Sequence, residues 1–247
     1  MRIEPDDRPD SWRAVDDDTV IGAARLLRRP DDRRAVYLRG HRDGVRAALL
    51  AEVAGAVDGE ICTTAEEDGE VARKASDLGF VVRRRDSVYR IPVRQQPGAV
   101  PAGFTVISAA AADRGRLREL DDALRQDVPG CAGWHSTPEE FAGQLDGPDF
   151  DPATYLVAVD DTGAYAGLVR IWRYPQRLGL IGVLAPHRNR GLARGLLARA
   201  FAVLRDRGVV EVTAEADETN VASTTLLRSL GATVTGTELE LIRPAPR

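Results

Sequence analysis

The apolar positions change period along the chain, and the changes mark an alternation of strands and helices. Residues 20–28 and 34–38 read as strands, residues 45–57 carry apolar side chains at helical spacing, and residues 60–64 return to strand. Residues 71–78 are predicted helical and stop at Gly79, a good terminator. Residues 81–93 read as one or two strands with a turn. A second series opens with a strand at 104–108 and a helix at 110–126, ended by Pro129-Gly130. Thr137-Pro138-Glu139-Glu140 is an N-cap with proline at the first helical position, so residues 138–145 are predicted helical. Residues 155–160 and 164–173 form a hairpin around Asp161-Thr162-Gly163. Residues 179–184 carry no charge, the pattern of a central strand covered on both faces. Residues 191–206 are helical, 209–215 a strand, 223–230 a helix stopped by Gly231, and 233–243 the last one or two strands.

Between the two series stands Arg94-Gln95-Gln96-Pro97-Gly98-Ala99-Val100-Pro101-Ala102-Gly103, whose prolines and glycines read as a linker. The two series also repeat each other. Ile21-Gly22-Ala23-Ala24-Arg25-Leu26-Leu27-Arg28-Arg29-Pro30 matches Ala166-Gly167-Leu168-Val169-Arg170-Ile171-Trp172-Arg173-Tyr174-Pro175. His41-Arg42 then matches His187-Arg188, and Asp77-Leu78-Gly79-Phe80 matches Ser229-Leu230-Gly231-Ala232, in the same order. We read a diverged duplication: a partial, degenerate copy over 1–94, a linker over 95–103 and a complete copy over 104–247. The first copy lacks counterparts of residues 104–145.

Composition narrows the picture. The 247 residues suit one large domain or two modest ones, and 43% hydrophobic with 29% charged residues excludes a disordered, collagenous or coiled-coil chain. Of the 34 basic residues only Lys74 is a lysine, so no lysine base or Schiff base arises in the second copy. The net charge of −4 is evenly spread and argues against a nucleic-acid partner. The first residues lack a signal-peptide pattern, and the longest uncharged apolar runs, such as 178–186, are too short for a membrane span. Cys62 and Cys131 suit a reducing cytoplasm, and His41, His135 and His187 lack ligand spacing, so no metal site is expected.

One segment carries chemistry. In Gly182-Val183-Leu184-Ala185-Pro186-His187-Arg188-Asn189-Arg190-Gly191-Leu192-Ala193-Arg194-Gly195, an apolar strand enters a turn holding Arg188-x-x-Gly191-x-Ala193, and a helix follows at once. The first helical N–H groups have no intrahelical partners and lie at the positive end of the dipole. Small residues at 191 and 193 let a pyrophosphate approach that backbone. The pattern is neither a Walker loop nor a dinucleotide fingerprint. Downstream, Thr213 to Asn220 reads as strand plus turn, and Asn220-x-x-Ser223-x-x-Leu226 with Leu230-Gly231 as a helix.

In this combination, from Phe104 to about Arg243, the sequence resembles the GNAT superfamily of acyl-CoA-dependent N-acetyltransferases, in its tandem arrangement. The resemblance implies an α/β fold of the α+β kind, with a mixed central sheet whose fourth and fifth strands splay. It implies that the backbone of Gly182, Val183 and Leu184 pairs with the pantetheine arm of acetyl-CoA. The phosphate cradle falls on Arg188, Asn189, Arg190, Gly191, Leu192, Ala193 and Arg194, and Asn220 near the thiol end. The implied reaction, attack of a neutral amine on the thioester, needs a base and an oxyanion donor. The family's frequent tyrosine acid falls at Leu227, which cannot donate, so Ser223 or water takes that part or the thiolate leaves unaided. With no carboxylate between 178 and 184, the base candidates are Glu215 and Asp217, then His135. Asp127, Trp134, His135, Trp172 and Tyr174 are expected around the acceptor. The run Arg83-Arg84-Arg85 reads as a solvated edge, and Arg42-Asp43-Gly44-Val45-Arg46 keeps only fragments of the cradle. The first copy is therefore expected to bind no CoA. The expectation is a cytoplasmic acetyltransferase, monomer or homodimer, acting on a primary amine of a small molecule. Its alternatives are a non-catalytic CoA-binding regulatory or interaction module, a protein N-terminal acceptor, or a longer acyl donor.

Overall fold

The computed structural model describes residues 1–96 and 98–245; Pro97, within the expected linker, lies outside the described residues. The chain divides into two compact units, Met1–Ser87 with Gly236–Arg247, and Val88–Thr235. In chain order the first unit contains β1 (Arg2–Pro5), β2 (Ser11–Asp16), β3 (Thr19–Arg28), β4 (Arg34–Gly40), α1 (Asp43–Ala56), β5 (Ile61–Glu66) and α2 (Glu70–Asp77). Strand β6 (Val81–Pro92) carries the chain into the second unit. There follow β7 (Phe104–Ser108), α3 (Arg114–Arg125), α4 (Pro138–Leu145), β8 (Tyr155–Asp160), β9 (Tyr165–Trp172), β10 (Arg177–Val183), α5 (Leu192–Asp206), β11 (Glu211–Asp217) and α6 (Val221–Ser229). Strand β12 (Thr233–Arg243) returns the chain to the first unit.

The strands of the first unit lie in the order β1-β2-β3-β4-β5-β12. All neighbours are antiparallel except β4 and β5, which run parallel and share one register pair, Ala35↔Cys62. Alternate residues of the strands, among them Ala24, Leu26, Val36, Ile61 and Ala65, form one core with Leu49, Leu50 and Val53 of α1 and Val71 and Ala75 of α2. Strand β12 is tied in by Glu240, which is 1% exposed and accepts from Arg29 Nη1 (2.7 Å) and Arg33 Nη1 (3.1 Å). No local pattern foretells that partnership, because the groups are some 200 residues apart in sequence. Two of the three arginines at 83–85 are in ion pairs: Arg84 with Asp86 (2.7 Å) and Arg85 with Glu67.

In the second unit the order is β6-β11-β10-β9-β8-β7. Helices cover both faces. Leu196, Leu197, Ala200, Phe201 and Leu204 of α5 join Leu227 and Leu230 in a core with β8–β11. On the other face Leu117, Leu120 and Leu124 of α3 and Phe141 and Leu145 of α4 join Tyr155, Val157, Leu168 and Leu180. This double cover is why β10 lacks charge after Arg177. Asp113 caps α3 through the Arg116 N–H (2.9 Å), and Thr137 with Glu140 forms a capping box on α4.

The structure departs from the sequence expectations in four places. Residues 98–101 are not a connector between units. They belong to the second unit and strap across α5, where a Cβ on Gly195 would stand 2.8 Å from the Ala99 carbonyl oxygen. The unit boundaries fall instead inside β6 and β12: β6 gives Tyr89 and Ile91 to the core of the second unit, and β12 gives Leu239 and Leu241 to the core of the first. Residues 81–92 form one strand without a turn. The first copy also possesses two leading strands, β1 and β2, and what it lacks relative to the second is the α3–α4 pair. Those strands are short and rich in charge, which hides their alternation.

Asp151, 3% exposed, anchors the start of β8. It accepts from Ala153 N (3.1 Å) and pairs with Arg207 at the end of α5. Burial works to raise its pKa, but the Arg207 guanidinium and the Ala153 N–H outweigh it and hold the carboxyl below its usual range. Its folded pKa lies below its unfolded value, so its stabilisation is present at neutral pH and is lost as pH falls through the folded value. Asp151→Asn is expected to cost about 2 kcal/mol at pH 7, with the difference from the parent vanishing in acid; denaturant melts across pH check this.

Candidate active site

Strands β10 and β11 pair in parallel at only two positions, Arg177↔Thr213 and Leu178↔Ala214. Beyond Leu178 a register shift against β9 bends β10, and the two strands diverge into a wedge. The Leu184 N–H is spent on the Ala166 carbonyl of β9 (2.9 Å), so the alternate residue, Val183, turns its backbone toward the wedge. Gly182 serves packing instead: a Cβ there would stand 2.9 Å from Leu124 of α3.

At the mouth of the wedge the chain reaches α5 through a tight turn. Arg188 is extended, while Asn189 (φ 60) and Gly191 (φ 83) are left-handed. Alternating conformations of this kind turn successive backbone N–H groups toward one point, an anion-binding concavity. Gly191 is the N-cap, no side chain caps the helix, and open space surrounds the position a Cβ would take. Leu192 is buried beneath, Ala193 is half-buried, and Arg190 and Arg194 are exposed at the rim. A cradle of free helical N–H groups with arginines around it fits the pyrophosphate of acetyl-CoA. Arg188 spans the two parts, donating from Nε to the Val183 carbonyl (2.9 Å) and pairing with Asp127.

The expected catalytic residues separate by environment. On β11, Val212, Ala214 and Ala216 pack into the α5 core, which puts Thr213, Glu215 and Asp217 on the opposite face. Glu215 lies one step beyond the last paired residue, at the apex of the wedge, 3.3 Å from Arg177 Nη1. Asp217 is buried and accepts from Thr219 N (2.7 Å) and the Thr219 hydroxyl, so its carboxylate is engaged in a turn. Asn220 is the N-cap of α6 and accepts from Ser223 N (3.0 Å). Leu227 is buried in the α5 core.

Among the expected acceptor residues, Trp172 lies at the apex. A side chain at Gly179 would collide with its indole, and the Arg170 guanidinium lies 4.6 Å from its ring centre. Tyr174 is not on the strand with Trp172; it stands beyond the end of β9 and is 68% exposed. Trp134 lies under Arg125 (4.9 Å), and exposed His135 stands 3.9 Å from Asp122. Burial pushes the Asp122 carboxyl above its ordinary range, against the Ser136 N–H that it accepts at 3.1 Å.

The sequence reading omitted a buried network beneath this region. Arg170, 2% exposed, donates to Asp121 (2.8 Å), which also takes Arg125 Nε (2.5 Å). Gln144 of α4 accepts from Arg170 at 3.3 Å. The available signal was one charge inside the apolar run of β9, facing an Asp-x-x-x-Arg step on a helix. Among the described residues no group of three or more His, Cys, Asp or Glu side chains is placed to hold a metal ion.

Comparison with known proteins agrees with this geometry. Residues 118–232 match the model of the acetyltransferase (GNAT) family. A mycothiol acetyltransferase of Salinispora arenicola is 30% identical over 80% of this chain and 67% of its own length. That of Salinispora tropica is also 30% identical, over 86% of this chain and 74% of its own. Among solved structures, a GCN5-related N-acetyltransferase from Sphaerobacter thermophilus superimposes with TM-score 0.71 at 21% identity, covering 96% of this chain and 81% of its own. A tandem GNAT protein from the clavulanic acid biosynthesis pathway gives 0.67 at 19%, covering 99% and 85%. The fold and the site thus define an acyltransferase. The chain belongs to the GNAT acetyltransferase family.

The Arg170–Asp121 pair is buried, so removing one member strands a charge. Asp121→Ala is expected to destabilise by about 3–5 kcal/mol, whereas Asp121→Leu combined with Arg170→Met costs much less; chemical denaturation of the variants checks this.

Proposed function

We propose that the second unit transfers an acetyl group from acetyl-CoA to a primary amine of a small molecule. The observation that carries the reading is the wedge between β10 and β11 opening directly onto the uncapped, left-handed entry to α5. Arg188–Arg194 would hold the pyrophosphate through backbone N–H groups, and the Val183 edge would hold the pantetheine arm. Acetyl-CoA, when bound, supplies an activated acyl group. The Val183 N–H is a donor available to a carbonyl oxygen lodged in the wedge. Glu215, at the apex and paired with Arg177, takes the proton from the incoming amine directly or through water. Trp172 supports an apolar wall for the acceptor. Ser223, in the first turn of α6, or water returns a proton to the departing thiolate. Two buried free cysteines support a reducing, cytoplasmic setting.

A second reading is favoured by one observation: buried Leu227 cannot donate a proton where the family often has a tyrosine. It makes the unit a CoA-binding module without turnover. The experiment separates the two. Acetyl-CoA is expected to raise the melting temperature, and Gly191→Trp to abolish the rise; no rise in the parent protein refutes the cofactor assignment. A screen of amines by thiol release tests turnover. Glu215→Gln is expected to lower kcat about 100-fold with acetyl-CoA affinity retained, and unchanged kcat removes Glu215 from the reaction.

A further inference from the structure

The first unit has a wedge of its own, with different equipment. Strands β4 and β5 share the single pair Ala35↔Cys62 and then part. The phosphate loop is absent: residues 41–42 alone join β4 to α1, where residues 184–191 join β10 to α5. The Glu70 carboxylate stands over the first turn of α1, 3.2 Å from where a Cβ on Gly44 would lie, and repels an anion there. Yet the wedge opens into a cavity of about 670 Å³, a size suited to a small molecule.

The cavity lies partly on the sheet face that α3 and α4 cover in the second unit. Arg25 of β3 corresponds in the repeat to Arg170 of β9. Arg170 is buried against Asp121 of α3, whereas Arg25 is exposed and has no ion pair among the described residues. On the next strand Arg39 shares a face with Tyr37, which lies opposite Arg25, and it too is exposed and without an ion pair among the described residues. Across the wedge the charge reverses. Glu66 and Glu238 lie directly opposite each other on β5 and β12, an unfavourable like-charge pair with no cation joined to either among the described residues. Carrying the β4–β5 register onward from Ala35↔Cys62 sets Arg39 level with Glu66, but the strands have diverged and no ion pair closes the gap.

We propose that this cavity binds a zwitterionic small molecule of the α-amino acid or short-peptide class. Arg25 and Arg39 take its carboxylate, and Glu66 with Glu238 take its ammonium group. An arginine pair suits a planar carboxylate through parallel N–H donors. The exposed Leu27 and Tyr37 side chains, both lining the cavity, offer an apolar surface to its side chain. The site is separate from the acetyl-transfer wedge and does not depend on that wedge being catalytic.

The test is isothermal titration of the full chain with the twenty proteinogenic amino acids, glycylglycine and coenzyme A. At least one zwitterion is expected to bind, its deaminated and decarboxylated analogues at least tenfold more weakly. Arg39→Gln and Glu66→Gln should each weaken that zwitterion tenfold or more. Both positions are exposed, and retention of the acetyl-CoA melting shift reports an intact fold. Gly191→Trp should leave zwitterion binding unchanged. The proposal is overturned if no zwitterion binds at millimolar concentration, if binding survives both substitutions, or if it vanishes in Gly191→Trp. It is equally overturned if coenzyme A binds Gly191→Trp in a manner lost with Arg39→Gln, which would make this a second nucleotide site.

Discussion

The second unit depends on the parting of two parallel strands. Strands β10 and β11 hold together at Arg177↔Thr213 and Leu178↔Ala214 and then leave each other's hydrogen-bonding reach. A sheet interior ordinarily satisfies every backbone donor and acceptor. Here a set of strand groups is left facing open space, a costly arrangement unless a ligand or side chain engages them. Arg188 meets part of that need by donating to the Val183 carbonyl. The same side chain reaches Asp127, so it links the edge of the wedge to the end of α3. Glu215 and Trp172 stand at the apex of this opening, and the left-handed turn before α5 at its mouth.

The cover over the sheet decides what each wedge can do. In the second unit α3 and α4 close one face and bring Asp121 to Arg170, which converts a strand arginine into a buried strut. Buried ion pairs of this kind add little net stability over apolar packing, but each member is costly to leave alone. The first unit has an arginine at the matching place and no helices in the position of α3 and α4. Its Arg25 and Arg39 consequently face the cavity rather than a helix. Without a loop like 184–191 and without counterparts of α3 and α4, the first unit's wedge is an open polar pocket, while its sheet keeps the same strand order as the second.

Much of this was legible from residues. The uncharged run at 179–184 announced a doubly covered strand, and Thr137-Pro138-Glu139-Glu140 announced the start of α4 to the residue. The turn Arg188-x-x-Gly191-x-Ala193 announced a left-handed glycine entry to α5 without a side-chain cap, because glycine before a helix is a local requirement of such a turn. Illegible was the fate of the residues at 95–103. Proline and glycine there were read as a connector, whereas the segment as far as it is described straps over α5 and needs Gly195 to do so. The grouping of Asp217 with Thr219 and of Asn220 with Ser223 also escaped, since a polar residue at a strand end looks alike whether it caps a turn or meets a substrate.

The sequence by itself determined most of the elements after β2, their order and the glycine-led entry to α5, for these follow from side-chain periodicity and from backbone preferences acting over a few residues. Only the tertiary structure decided which core each long strand serves, that Glu240 is held by Arg29 and Arg33, and that Arg170 is sealed while Arg25 is not. Those outcomes depend on groups brought together from distant parts of the chain, where desolvation and charge pairing act on neighbours that no local pattern records.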